Sequence, residues 1–371
     1  MERKRVIDLD LIRVLAIFFV FSVHFFLNSD FYQLSLNSIG TFALSGFRWL
    51  FFTCIGLFLL LTGYLNENTK LNRNYIYKLF RILISYFIIG ILCLVFKKFY
   101  LNEDITIIRG VINLFNFSAN DYAWYVEMYV GLFLVIPFLN ILYNNLKTKE
   151  NKIKLLAVLL FIFSLTSTLK FFYPTRFTIN AFSDYWIAGY PILYFFLGKY
   201  LREFPLKLSK KKMFIILVLT LIVQTGLIFI FNFNKTFPID IFSGYIGGYY
   251  NLFTVLEVIM LFSLIKGCKL KNKLLIKGVT CVSLVSFEMY LISDIVDKFY
   301  YLNAGLQFGN IVNYLINYLI SVMVVFISSF VLAFVINKVS GFCWKKFKII
   351  YNHVCDFFEK IFEKIQSNII K

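Results

Sequence analysis

The chain has 371 residues, of which 60% are hydrophobic and only 16% are charged, and its formal net charge is +18 at pH 7. This composition excludes a soluble globular domain and predicts an all-α polytopic membrane protein. Basic loops that face anionic lipid headgroups account for the positive charge, so we expect membrane lipids and no nucleic acid among the partners.

Ten continuous apolar segments predict a bundle of about ten transmembrane helices. They cover residues 10–28, 47–65, 76–96, 124–143, 153–171, 185–201, 213–232, 248–265, 279–298 and 311–337. The first follows the basic start MERKR, as a signal peptide does, but no small-residue cleavage site follows, so we interpret it as a retained span. The sequence thus predicts one membrane domain over residues 1–340.

The distribution of Lys and Arg predicts the orientation of the chain. If the N-terminus is cytoplasmic and ten spans alternate, 29 of the 38 basic residues face the cytoplasm, 8 face the outside and Arg13 lies within the first span. This asymmetry follows the positive-inside rule. We therefore predict that both termini are cytoplasmic.

The C-terminal segment, residues 341–371, has the pattern of a basic amphipathic tail. Its apolar residues recur at spacings of three and four, at Phe347, Ile350, Val354, Phe357, Ile361 and Ile365. The pattern favours an interfacial helix on the inner leaflet, with docking onto a partner as the alternative.

The six cysteines are scattered along the chain, without a CxxC pair or a spacing typical of metal ligands. We interpret them as apolar residues within helices. The sequence therefore predicts neither a disulfide framework nor a bound metal.

Arg13 and His24 stand eleven residues apart in the first apolar segment. Eleven residues make three helical turns plus about 20°, so the two side chains share a face and lie about 16 Å apart along the axis. Arg13 either snorkels to the inner surface or clamps a phosphate with its planar guanidinium. His24 is either a hydrogen-bonded core histidine or a general base, a role that imidazole fills near neutral pH.

Few carboxylates lie in the predicted spans. Glu127 lies near the outer end of the fourth span at a depth similar to that of His24, so it either orients the imidazole or forms a structural ion pair. Glu257, Glu288 and Asp294 lie in later spans and must face the bundle interior, water or a partner.

Trp124 and Tyr125 stand at the outer boundary of the fourth span. Both residue types are enriched at membrane interfaces, so an aromatic belt is the simplest interpretation. The alternative is a platform on which a sugar ring stacks.

Arginine, ten further residues and then histidine in the first span resembles the signature of the acyltransferase-3 family of membrane O-acyltransferases. Other segments resemble the family in the same order along nearly the whole chain. They are Ile55-Gly56-Leu57-Phe58 with Thr62-Gly63-Tyr64-Leu65, Lys78-Leu79-Phe80-Arg81, Trp124-Tyr125 with Tyr129 and Pro137, Tyr194-Phe195-Phe196-Leu197-Gly198, and Ser286-Phe287 with Tyr290-Leu291-Ile292.

Three positions depart from the family pattern. Gly56 replaces a proline, and Thr62 replaces a serine but keeps the hydroxyl. Ser293 stands where many members have a histidine, so a scheme with two histidines is not available to this chain.

The resemblance implies a ten-span protein of the bacterial plasma membrane. Family members move an acyl group, usually acetyl, from a cytoplasmic coenzyme A thioester to an extracytoplasmic sugar. The implied donor is acetyl-CoA, and the implied acceptor is a capsular or cell-wall polysaccharide or a lipid-linked glycan. We expect catalysis from His24, Arg13 and Glu127, coenzyme A binding from Arg13, Lys78 and Arg81, and substrate contacts from Trp124, Tyr125, Thr62 and Tyr290.

Two other classes of protein fit the sequence less well. A transporter or flippase for a glycan or glycolipid also has many spans with buried charges, although no inverted halves are visible here. A transporter of this kind predicts uptake that depends on the membrane potential and does not depend on the supply of acyl-CoA. A sensor or assembly partner of a wall-synthesis complex predicts that His24→Ala leaves function intact.

Overall fold

The computed structural model describes residues 5–169, 183–237, 248–306 and 310–369. In these ranges the regular secondary structure is helical, and one isolated β-bridge joins Ser35 to Thr236. The prediction of an all-α chain is confirmed. Seven helical segments of the described residues are long and apolar enough to cross a membrane. The number of about ten spans and the cytoplasmic termini stay predictions.

The helices agree with the predicted spans in place, though not in length. In chain order they are α1 (Ile7–Leu27), α2 (Ile39–Phe52), α3 (Cys54–Leu65), α4 (Arg73–Phe99), α5 (Ile107–Phe115), α6 (Trp124–Asn145), α7 (Lys149–Leu169), α8 (Tyr190–Glu203), α9 (Lys210–Asn232), α10 (Leu252–Ile265), α11 (Lys273–Asn303) and α12 (Ile311–Ile369). Each predicted span overlaps at least one helix. The last two positions of the predicted span 153–171 lie outside the described residues.

The second predicted span, 47–65, is the C-terminal part of a longer helical segment, which consists of two helices. α2 begins after Ser38, whose hydroxyl accepts a hydrogen bond from the backbone N–H of Thr41 at 3.1 Å. Such a capping box satisfies backbone donors that the first helical turn leaves unpaired. At Thr53 the helix breaks, and the threonine hydroxyl donates to the carbonyl of Leu50 at 2.7 Å. Together the two helices form the segment Ile39–Leu65, whose 27 residues are enough to cross a membrane.

The chain forms two compact units, to which α11 and α12 both contribute. The first unit comprises Met1–Glu67, Ile141–Ser286 and Val296–Ser328. The second comprises Asn68–Asn140, Phe287–Ile295 and Ser329–Lys371. The predicted tail thus belongs to the second unit, and α12 passes position 340 without interruption.

In the first unit, α3 and α8 cross at backbone contact, which only glycine permits. A Cβ atom at Gly63 would lie 1.9 Å from the carbonyl oxygen of Phe195. A Cβ atom at Gly198 would lie 2.0 Å from the carbonyl oxygen of Leu60. These two glycines therefore set the distance between the helices.

In the second unit, the beginning of α4 packs against the C-terminal part of α12. The rings of Tyr77 and Trp344 stack with centroids 4.8 Å apart, and the Tyr77 hydroxyl donates to the Trp344 carbonyl at 2.7 Å. With 59 residues, α12 is about 88 Å long, far more than a bilayer requires. Side chains beyond 357 lie outside the described part, so the expected orientation on the inner leaflet stays a prediction.

Candidate active site

His24 and Asp297 form a buried pair in the first unit. The Nδ1 atom of His24, three residues before the end of α1, lies 2.9 Å from Oδ2 of Asp297 on α11. The two side chains are only 8% and 2% exposed. The hydrogen bond favours the tautomer with hydrogen on Nδ1, which places the lone pair on Nε2. In this arrangement the carboxylate orients the ring and stabilises an imidazolium when one forms.

Tyrosines of α12 hold the C-terminal end of α1 on both sides of His24. Ser22 shares a hydrogen bond with the Tyr318 hydroxyl at 2.9 Å, and Ser29 shares one with the Tyr314 hydroxyl at 2.7 Å. Phe25 packs edge-on between these two rings, with both centroid distances 5.4 Å. Packing and hydrogen bonds together fix the rotation of α1, and with it the direction of the imidazole.

Asp297 was not among the residues that the sequence singled out. It lies three residues after Asp294, which was, and one residue before the predicted end of that span. Residues three apart share a helix face, so the position of Asp297 was a usable signal, but nothing in the sequence named His24 as its partner. Glu127 lies on α6 in the second unit, and its predicted role in orienting the imidazole stays a prediction.

A carboxylate of its own helix holds Arg13 near the N-terminal end of α1. Nη1 of Arg13 lies 2.9 Å from Oδ1 of Asp10, whose side chain is 1% exposed. The same carboxylate accepts hydrogen bonds from Arg5 at 2.5 Å and from the Ser283 hydroxyl at 2.7 Å. The Arg13 guanidinium is therefore positioned, while 30% of its side chain remains exposed.

A second ion pair stands beside this one. Lys266, just after α10, lies 2.8 Å from Oδ2 of Asp8, and the backbone N–H of Gly267 donates to the same oxygen at 2.7 Å. Partial burial of Lys266 opposes its charged form, but the hydrogen bond to Asp8 and the negative charge of Asp8 outweigh it, so the pKa of Lys266 is raised. Arg5, Arg13 and Lys266 thus form a cluster of three cations on two buried carboxylates, which we name the inner basic cluster after the predicted orientation.

The second unit contains the other two basic residues that are predicted to bind coenzyme A. Lys78 and Arg81 are both exposed near the beginning of α4. The guanidinium of Arg81 lies over the ring of Trp344, 5.2 Å from its centroid. A contact of this kind restricts the side chain while it leaves the guanidinium edge available to an anion.

Three of the predicted substrate-binding residues come together in the second unit. Tyr290 donates its hydroxyl to the carbonyl of Tyr122, and its ring meets Tyr125 edge-on at 5.7 Å. Trp124 meets Tyr125 at 6.0 Å and is 39% exposed. Tyr125 and Tyr290 are buried, so Trp124 is the exposed member of this aromatic cluster, and both earlier interpretations, belt and sugar platform, remain open.

Thr62 belongs to the first unit and donates its hydroxyl hydrogen to the carbonyl of Phe58 at 2.9 Å. This bond is local to α3, so a role for Thr62 toward substrate stays a prediction. Among the described residues, no group of three or more His, Cys, Asp and Glu side chains is arranged to hold a metal ion.

Comparison with known proteins supports the resemblance seen in the sequence. The model of the acyltransferase-3 family, described as an acyltransferase domain, matches residues 6–338. No curated protein and no solved structure is significantly similar to the chain. Since the match runs from the start of α1 through both units into α12, this protein belongs to the acyltransferase-3 family.

Proposed function

We propose that this protein transfers an acetyl group from cytoplasmic acetyl-CoA to a hydroxyl of an extracytoplasmic polysaccharide of the capsule or cell wall. Family membership supports acyl transfer. The single observation that carries the proposal is the buried His24–Asp297 pair on the helix whose other end holds Arg13. A bacterial plasma membrane is the setting that the donor and acceptor require.

The spacing on α1 suits a donor that stays on one side of the membrane. Coenzyme A carries several phosphates, so its nucleotide part cannot enter hydrocarbon, whereas its thioester arm is long and thin. Arg13 and His24 are separated by about 16 Å along the helix. An arm that starts at the inner basic cluster and reaches outward would bring its thioester toward the imidazole.

The inner basic cluster fits a polyanionic donor. Arg5, Arg13 and Lys266 are 39%, 30% and 31% exposed, so each presents donors to solvent while a buried carboxylate fixes it. Guanidinium groups bind phosphate in bidentate fashion, and an ammonium binds it as a point charge. The expectation from the sequence that Lys78 and Arg81 also bind coenzyme A stays part of the proposal.

The reaction needs one base and one leaving thiolate. His24 removes the proton from the sugar hydroxyl as the oxygen attacks the thioester carbonyl carbon, a task typically worth about 10²–10⁴-fold in rate. The new C–O bond forms, the C–S bond breaks, and the leaving coenzyme A thiolate takes up the proton that His24 removed, which returns the imidazole to its neutral form. Asp297 stabilises the imidazolium between these events.

The test is the acyl content of surface glycan. A null strain would carry the wild type, His24→Ala or His353→Ala, with equal expression verified in membranes. His353 is the matched control, because it is the one other histidine of the chain and lies exposed in the tail. We expect mass spectrometry to find the ester with the wild type and with His353→Ala, and not with His24→Ala. Equal ester content with His24→Ala would contradict the proposal, and unchanged glycan with the wild type would favour transport.

A further inference from the structure

Glu257 is a carboxylate for which the proposed reaction has no use. It lies on α10 of the first unit and is 0% exposed. Neither of its carboxylate oxygens has a hydrogen-bond partner among the described residues. A buried carboxylate without a partner is costly in a protein interior and more so in a membrane, where such residues usually mark an ion or substrate site.

Other buried oxygens without partners lie on α7 and α9, two of the helices that pack against α10. They are Oε1 of Gln224 on α9 and the hydroxyls of Ser164 and Ser167 on α7. All three side chains are 0% exposed. Native interiors leave few polar atoms unsatisfied, so a group of them on adjoining helices calls for an explanation such as an ion or ordered water.

Two hydrogen bonds give the relative depth of these residues. The backbone N–H of Leu252 donates to Thr168 at 2.9 Å, which joins the beginning of α10 to the end of α7. Counting inward from this contact, Glu257 lies about 7.5 Å along α10. On the antiparallel α7, Ser164 lies about 6 Å inward from Thr168, at nearly the same depth.

The contact with α9 lies at a similar depth. Nε2 of Gln224 donates to the Thr254 hydroxyl at 3.4 Å. Thr254 stands three residues before Glu257, so the two share a face of α10 and differ by about 4.5 Å in depth. The unsatisfied oxygens of α7, α9 and α10 therefore lie within about one helical turn of one another in depth.

The chemistry of this group decides its ligand. One carboxylate, one amide oxygen and two hydroxyls form a set of oxygen donors with a single negative charge. Hard cations prefer oxygen ligands, and one negative charge balances one monovalent cation. A proton on Glu257 would neutralise the charge but leave the other three oxygens without partners. A cation with its bound water supplies partners for all of them.

We propose that Glu257, Gln224, Ser164 and Ser167 form an occluded site for one monovalent metal cation, Na⁺ or K⁺, in the first unit. The bound ion compensates the buried charge and links α7, α9 and α10. This site is independent of the acyl-transfer proposal, because none of its residues takes part in that reaction.

The test is thermal unfolding of the purified full-length protein in detergent. Samples would contain NaCl, KCl or choline chloride at equal ionic strength, since choline is too large for the site. We expect Na⁺ or K⁺ to raise the unfolding temperature of the wild type by about 2–4 °C over choline. The cation that gives the larger shift is the one the site selects.

Glu257→Gln removes the charge at nearly constant volume, and we expect its unfolding temperature to be the same in all three salts. The matched control is Glu288→Gln, which changes another buried glutamate of the spans. Glu288 has partners, because Ser85 and Asn337 donate to it at 2.9 and 3.0 Å. We expect Glu288→Gln to keep the cation dependence of the wild type.

Two results would overturn the proposal. One is a wild-type unfolding temperature that is equal in sodium, potassium and choline. The other is a cation dependence that Glu257→Gln retains. If that variant does not fold, binding of radioactive sodium or rubidium to the wild type decides, with about one ion per chain expected and no saturable binding contradicting the site.

Discussion

Nδ1 of His24 and Oδ2 of Asp297 lie 2.9 Å apart, although 273 residues separate the two in the chain. The pair ties the C-terminal end of the first helix to α11 in a place that is almost closed to solvent. In a histidine held in this way, Nδ1 fixes the orientation of the ring through its hydrogen bond, and Nε2 is left to accept a proton. Replacing a single carboxylate oxygen of Asp297 by an amide nitrogen is therefore an informative test of the role of the pair.

Asp297→Asn tests that division of roles. The asparagine keeps the shape, but its amide does not stabilise an imidazolium and allows the opposite tautomer. We expect the rate of acyl transfer in membrane vesicles to fall by about 10²-fold or more, with little change in the unfolding temperature. Asp294→Asn, one turn away on α11, is the control and should retain much more activity. A wild-type rate for Asp297→Asn would show that the pair is structural.

Asp10→Asn tests whether the inner end of α1 binds the donor. Asp10 holds the guanidinium of Arg13 by a charge-assisted bond, and such bonds are worth about 1.5–3 kcal/mol. Without it Arg13 is less well positioned, so we expect KM for acetyl-CoA to rise about 10-fold while kcat changes less.

Asp8→Asn is a useful comparison, because it breaks the neighbouring pair with Lys266 and leaves the Arg13 contact in place. A smaller rise in KM is expected for it. If Asp10→Asn instead lowers kcat at unchanged KM, Arg13 acts on the reacting group and not on the phosphates.

Gly63→Ala tests the close contact of α3 and α8. The added methyl group would stand 1.9 Å from the carbonyl oxygen of Phe195, and backbone cannot move aside as a flexible side chain can. Overpacking of this kind costs about 3 kcal/mol, and we expect a marked drop in unfolding temperature and in folded yield. Gly226→Ala, with no atom within 4 Å of its new methyl group, should be neutral or slightly stabilising. Equal stability of the two variants would show that the helices are not in backbone contact.

Hydropathy and spacing predicted the parts of this protein that depend on local sequence. The apolar segments predicted helices throughout, and the eleven-residue spacing placed Arg13 and His24 on one α1 face. The start of the second span was wrong, because Gly40, Ser45 and Gly46 lower its hydropathy although the chain is helical there. Capping at Ser38 was the signal that marked the true start.

Partners from distant parts of the chain had no such local signal. Asp10 stands three residues before Arg13 on the same helix, so that contact was within reach of spacing rules. Asp297 was not, because a helical period says which face a residue occupies and nothing about which helix lies opposite. The same limit applies to Glu257, which was expected to face the bundle interior, water or a partner, without a choice among the three.

Trp344→Ala tests the contact between the tail and α4. The Trp344 indole stacks on the Tyr77 ring with centroids 4.8 Å apart, so it is one of the apolar contacts that join α12 to α4. Its loss should free the C-terminal part of the helix, and we expect limited proteolysis of the purified protein to remove the tail several times faster. Phe342→Ala is the control, since that ring is 59% exposed. Cleavage at the wild-type rate in Trp344→Ala would mean that the membrane surface, and not α4, holds the tail, as the amphipathic pattern alone suggested.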